Sequence, residues 1–189
     1  EIDRSLAMRI LWPQNNGIEY LNENNNSIVL LLEAGNRRIL FTGDIEEEVE
    51  DILLSQYSFD VDILKVAHHG SGTSTSIDFV RRFTPEYSII SVGRNNLFGH
   101  PEDVVLETLE KLGSKVYRTD EMGMIRAEIL RDEIIIEPFI NNAGKMDIGK
   151  FLTAKLHLIG FTFGYLLISL YLVLDYSRGK VRSGGFGEQ

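Results

Sequence analysis

The chain has 189 residues, 43% of them apolar, carries a formal charge of −9, and contains no cysteine. That length suits one ordinary domain with some chain left over, and the lack of thiols excludes zinc fingers, disulfide frameworks and cysteine nucleophiles. Residues 1–144 hold 13 Lys and Arg against 25 Asp and Glu, a net −12, which is not the basic footprint of a general nucleic-acid binder; a phosphate substrate would need bound cations beside it.

The first residue is Glu1, and no signal peptide precedes Ser5–Trp12, so the stretch reads as the continuation of a longer chain. Leu6–Trp12 reads as a strand stopped by Pro13, and the asparagine-rich stretch from Gln14 to Ser27 as a loop. Ser27–Glu33 and Arg37–Thr42 are two β-rich runs joined by Ala34-Gly35-Asn36, a hairpin signal. A helix is expected from Ile45 to about Gln56, with Ile45, Val49, Ile52 and Leu53 on one face and an acidic first turn that suits the helix dipole.

Asp60–Ala67 reads as a largely buried strand that runs into His68-His69-Gly70. Gly70 lets the backbone turn sharply, which leaves two imidazoles at a strand's carboxyl end, where open α/β sheets place their chemistry. Ser76 to about Phe83 reads as a short helix and Tyr87–Val92 as another buried strand. The polar loop at 93–101 then presents His100. Pro101 opens a helix to Leu112, Ser114–Arg118 is a strand, and Thr119–Gly123 is a turn. Met124–Leu130 and Glu133–Pro138 form a closing hairpin. Strands and helices alternate through the middle and hairpins bracket both ends, which predicts an α/β layered domain with a mixed sheet.

The remainder differs in kind. Residues 141–155 read as a polar linker. Leu156–Leu174 is 19 residues without Asp, Glu, Lys or Arg, close to the ~20 that span a bilayer. Tyr165, Tyr171 and Tyr176 fit an aromatic belt, and Arg178, Lys180 and Arg182 follow at once. A transmembrane helix is expected over 156–176, with His157 at the interface and 177–189 as a flexible basic tail.

Asp44, the pair His68 and His69, and His100 each follow a separate buried strand, so a layered fold brings their loops to one sheet edge. Carboxylate oxygen and neutral imidazole are the donors that borderline divalent cations take. Asp44 has a second reading, because Asp44-Ile45-Glu46-Glu47 has the form of a capping box. Gly99 lets the loop at His100 approach closely, and Asn95 and Asn96 stand nearby. Ser71, Thr73, Ser74 and Ser76 can hydrogen-bond a phosphate near a helix N-terminus, or serve as loop and cap residues.

Four stretches, LFTGD at 40–44, KVAHHGS at 65–71, ISVGRNNLFGHP at 90–101 and VYRTDEMG at 116–123, resemble in that order the C-terminal half of a metallo-β-lactamase-fold hydrolase. The strongest likeness is to the hydrolase domain of the ComEC family, competence channel proteins of DNA uptake, and it covers about residues 5–138. It implies that residues 1–140 form half of a four-layered αββα sandwich, with two divalent cations, zinc or manganese, at one sheet edge. By that likeness Asp44 is the bridging carboxylate and His100 the last metal-ligand histidine. His68 and His69 are the pair of which at least one faces the substrate phosphate, with Ser71 and Ser74 as further phosphate contacts.

The implied reaction is phosphodiester hydrolysis, of one DNA strand at the cell surface, by a domain anchored in the cell membrane and facing away from the cytoplasm. The family's principal metal motif, His-x-His-x-Asp-His, is absent, since only four histidines exist and none has that spacing. The site is therefore expected to be incomplete without an N-terminal half-domain. A phosphoester hydrolase unrelated to uptake and a non-catalytic, membrane-tethered scaffold are the alternatives.

Overall fold

Three β-rich runs near the start pair antiparallel: β1 (Leu6–Trp12), β2 (Val29–Ala34) and β3 (Arg37–Phe41). The tight turn between β2 and β3 is set by Gly35 at φ 61°, a conformation glycine adopts without cost. From β3 onward the sheet is parallel, through β4 (Ile63–Lys65), β5 (Tyr87–Ile90) and β6 (Lys115–Arg118), giving the order β1-β2-β3-β4-β5-β6. Parallel neighbours need crossovers, and α1 (Glu47–Gln56), α2 (Ile77–Phe83) and α3 (Asp103–Lys111) supply them. A helical turn, α4 (Thr119–Met122), leads into a separate two-stranded sheet of β7 (Ile125–Ile129) and β8 (Ile134–Pro138). The computed structural model describes residues 6–14, 22–130 and 133–140, all within the compact unit Glu1–Gly144.

The main core cluster lies on one face of the large sheet, while Ile39 and Ile63 are buried on the other. Leu31, Leu40, Leu64 and Ile90 pack in that cluster with Val49 and Leu53 of α1, Phe79 and Phe83 of α2, and Val105 and Leu109 of α3, all fully buried. Each such side chain contributes roughly 1.5–3 kcal/mol. The alternation of strand residues sends Ile10, Leu30 and Phe41, which stand in one row across β1, β2 and β3, to the opposite face. Leu6, Met8, Ile10 and Phe41 are exposed there.

The mixed α/β order is as the sequence predicts; several boundaries are not. Helix α1 begins at Glu47, with Glu46 at its N-cap, rather than at Ile45. Gly43 at φ 59° turns the chain, and Ile45 is fully buried, so Asp44 lies ahead of the helix and does not cap it. Helix α3 begins at Asp103, two residues later than expected, with Glu102 at its N-cap. The strand predicted over 60–67 pairs only over Ile63–Lys65, and Ala67–Gly70 is a 3-10 turn. Thr119–Met122 is helical rather than a plain turn, and the asparagine-rich loop ends in a 3-10 turn, Glu23–Asn26.

Of the four sandwich layers implied by resemblance, the described residues contain one large sheet with its helices and the small hairpin. The linker at 141–155, the transmembrane helix expected over 156–176 and the tail at 177–189 lie outside the described residues. Among the described residues no helix is long and apolar enough to cross a membrane.

Candidate functional site

Because β3, β4 and β5 are parallel, the loops that leave their carboxyl ends emerge on the same side. The first two are tied together. Thr42 Oγ1–H donates to the Lys65 carbonyl at 2.6 Å, and the His68 amide donates to the Gly43 carbonyl at 3.1 Å. Gly43 sits so close to Ser27 that a Cβ added to it would lie 2.7 Å from that residue's Cβ. Ser27 Oγ in turn accepts the Asp44 amide at 3.1 Å.

The histidine pair is held in an unusual backbone. His68 (φ 45°, ψ 44°) and His69 (φ 56°, ψ 17°) are both left-handed, which costs on the order of 1–3 kcal/mol for each residue that has a Cβ. Strain of that size persists only where the surroundings impose it. The two rings splay, with centroids 6.5 Å apart and planes at 62°. Each ring therefore meets its own carboxylate. His69 Nε2 is 3.7 Å from Asp44 Oδ1, and His68 Nδ1 is 3.4 Å from Glu46 Oε1.

The protonation pattern of His69 follows from its neighbours. Its Nδ1 lies 2.6 Å from the Ser91 carbonyl, an acceptor only, so Nδ1 carries the proton and Nε2 presents a lone pair. That lone pair and the Asp44 carboxylate oxygen then face each other, an arrangement satisfied by something positive between them, a second proton or a cation. An imidazole whose far nitrogen donates to a carbonyl is also how metal-ligating histidines are commonly oriented. In kind, then, the donors suit a divalent cation. In number they do not complete its shell: among the described residues no group of three His, Asp or Glu converges to hold a metal ion.

His100 arrives on the third loop. Asn96 clamps that loop, donating from Nδ2 to the His100 carbonyl at 2.7 Å and accepting the His100 amide at Oδ1 at 3.0 Å. The His100 ring lies 5.8 Å from that of His68 and stacks with Phe98 at 13° and 6.0 Å. Its Nδ1 is buried without a hydrogen-bond partner, 3.9 Å from Glu102 Oε1. A cleft of about 430 Å³ is lined by His69, His100, Asn96 and Phe98 and by residues 91–93. Leu97 and Phe98, at the tip of this loop, are 99% and 81% exposed.

The serines take different places. Ser71 and Ser74 are buried. Ser71 Oγ lies 3.1 Å from Thr73 Oγ1, and Ser74 Oγ–H donates within the turn to the carbonyls of Ser71 and Ala67, at 3.1 and 3.3 Å. Ser76 caps α2 through the Phe79 amide. Lys65 lies beneath the turn, its Nζ donating to the Val66 carbonyl at 2.8 Å. Burial pushes its pKa below the ordinary lysine value, and the charge of Asp44 draws it partly back.

Three acidic residues that matter here were not legible as site residues. Glu46 faces His68. Glu102 accepts the Gly72 amide at 2.8 Å, which ties α3 to the histidine turn. Glu50 is fully buried and accepts the amides of Thr75 and Ser76 at 2.5 and 2.9 Å. Burial pushes its carboxyl above the ordinary 4.5, while the hydrogen bonds from Ser76 and Thr75 work the other way. All three stand in carboxylate-rich runs that read as solvated helix starts. For Glu46 the available signal was the pair of amides in Asn22 and Asn24, which needs an acceptor within reach.

The fold and the site together define an α/β protein with its titratable side chains gathered at the carboxyl ends of parallel strands. Comparison with known proteins narrows this. The chain is 40% identical over 124 residues to ComE operon protein 3 of Bacillus subtilis, an alignment covering 65% of this chain and 16% of that protein. It is 34% identical over 134 residues to Recombination protein 2 of Haemophilus influenzae, covering 71% and 17%. It is 34% identical over 108 residues to Competence protein ComA of Neisseria gonorrhoeae, covering 56% and 16%. No protein-family model matches the chain. The chain is homologous to the ComEC family of competence proteins, and it spans about one sixth of the length of the curated relatives it matches.

Proposed function

We propose that this chain forms part of a hydrolase of the metallo-β-lactamase fold that cleaves phosphodiester bonds of DNA during its uptake. One observation carries the reading. Asp44, His68, His69 and His100 come from three different strand ends and form one connected series of contacts, Asp44 to His69, His68 to His100, with His69 and His100 sharing a cleft. Relatives named for recombination and competence support a part in DNA uptake, and DNA as the substrate is part of the proposal. In this reading Asp44 and His100 hold metal, completed by ligands from outside the described residues. His68 and His69 meet the substrate phosphate, with Ser71 and Ser74 shaping the turn around it. A divalent cation would supply neutralisation of the charge that builds on the phosphate oxygens. The exposed apolar row on β1–β3 is the surface on which the other half of an αββα sandwich would pack, and the apolar stretch at 156–176 would hold the domain at the outer face of the cell membrane.

A second reading is a metal-free scaffold tethered to the membrane. A phosphoester hydrolase with no part in uptake is the third. Metal analysis of the complete gene product, paired with cleavage of a single-stranded oligonucleotide, separates them. Bound metal and cleavage that are both lost in Asp44→Asn support the hydrolase. Cleavage of a simple phosphodiester but not of DNA points to the third account. Neither metal nor cleavage leaves the scaffold.

A further inference from the structure

Glu46 stands where a helix N-cap residue usually offers its side chain to its own helix, yet it makes no such bond. Its carboxylate is turned outward and gripped by two amides. Asn22 Nδ2 donates to Oε2 at 2.6 Å, and Asn24 Nδ2 donates to Oε1 at 3.0 Å. The helix end is satisfied from elsewhere: Asn25 Oδ1 accepts the Glu46 amide at 2.8 Å, and the Thr73 carbonyl accepts the Glu47 amide at 3.0 Å. Glu46 is thereby freed of capping and pinned in one rotamer. The atom it is pinned against is His68 Nδ1, at 3.4 Å. That contact is within ion-pair reach but lacks hydrogen-bond geometry, so Nδ1, which is buried, has the carboxylate as its charged neighbour and no hydrogen-bond partner.

A carboxylate is an acceptor only, and both oxygens of this one already accept from amides, so a lone pair on Nδ1 would face it repulsively. The proton of a neutral His68 therefore belongs on Nδ1. The ring is 24% exposed although Nδ1 itself is buried, so its open edge lies away from Glu46. From these contacts we propose that Glu46 is a positioning residue, an asparagine-clamped carboxylate that fixes the orientation and tautomer of His68 and leaves Nε2 as the free acceptor. His68 and His69 then carry matched but separate supports, a carboxylate for one and the Ser91 carbonyl for the other. Any chemical use of this arrangement rests on the hydrolase reading; its test does not.

The test is the ring-nitrogen signals of the four histidines in the 15N-labelled full chain, in alkaline buffer where imidazole is neutral. Trp12 serves as an internal control, because its indole N–H donates to the Asn25 carbonyl at 2.7 Å and reports whether the asparagine loop is intact. The expected result is a dominant Nδ1–H form of His68 that becomes a mixture in Glu46→Gln, with the Trp12 indole signal and the other histidines unmoved. An Nε2–H form in the native chain overturns the proposal, and so does the same tautomer before and after substitution. If Glu46→Gln shifts the Trp12 signal, Asn24→Ala is the measure instead, since it keeps the carboxylate and loosens the clamp. Partial loss of the Nδ1–H form then supports the proposal, and an unchanged ratio overturns it.

Discussion

The two loops that carry the histidines are built on opposite plans. The turn at 67–76 is half-buried and over-determined: left-handed His68 and His69, left-handed Thr75 at φ 59°, buried Ser71 and Ser74, and the buried carboxylate of Glu50 beneath it. The loop at 91–100 is held by side chains at the surface, with Asn96 across its neck and two large apolar residues at its tip in solvent. It is anchored at its root, where Thr119 Oγ1 accepts the Val92 amide at 2.8 Å and Arg94 Nε donates to the Asp120 carbonyl at 3.0 Å. Strain can be stored in the first loop because buried hydrogen bonds oppose its release; the second also has a left-handed residue, Asn95 at φ 60°, but among the described residues no buried hydrogen bond bears on its tip.

That contrast can be broken at its strongest point. Glu50→Ala strips the buried Thr75 amide and the part-buried Ser76 amide of their acceptor and should cost about 3 kcal/mol in urea unfolding of the full chain. Gly70 is the joint between the loops: at φ 85°, a Cβ there would lie 2.6 Å from the Pro101 Cβ and 3.1 Å from its Cα. Gly70→Ala should cost about 2–3 kcal/mol and weaken both loops at once, seen as faster amide exchange in each. Asn96→Ala removes three side-chain hydrogen bonds, to Gly93 and twice to His100, and should cost about 1 kcal/mol, with faster exchange confined to 93–100. Phe98→Ala should leave stability within about 0.5 kcal/mol of native, because its ring is already in water.

The buried carboxylate also gives the comparison a pH signature. Burial raises the folded-state pKa of Glu50 above 4.5. The folded chain therefore binds this proton more tightly than the unfolded chain does. The resulting stability is complete below 4.5 and is lost as pH rises through the folded value. Urea midpoints measured across that range should show the decline in the native chain and not in Glu50→Gln.

What could be read from the sequence was the part that depends on local order. The strand runs, the hairpin at Gly35 and the apolar stripes of the helices are repeated over several residues, and their positions hold to within a few residues. The gathering of Asp44, His68, His69 and His100 was legible because each follows a buried run. The role of Asp44 was open because a capping box is a local pattern with a tertiary competitor. Asn25 and Thr73, distant in sequence, satisfy the start of α1, so its amides need neither Asp44 nor a reciprocal glutamate. Glu46 and Glu50 were hidden for the same reason: both belong to an acidic run whose members differ only in what the folded chain sets against them.

The exposed row of Leu6, Met8, Ile10 and Phe41 has a consequence for how the protein is made. β1 is an edge strand of the sheet, and an apolar face beside an open edge invites the same surface of a second molecule. On the proposed hydrolase reading the other half of the sandwich would cover that face, and solubility on overexpression would then assay the cover: with that half supplied the chain is expected to stay dispersed, and without it to self-associate through β1.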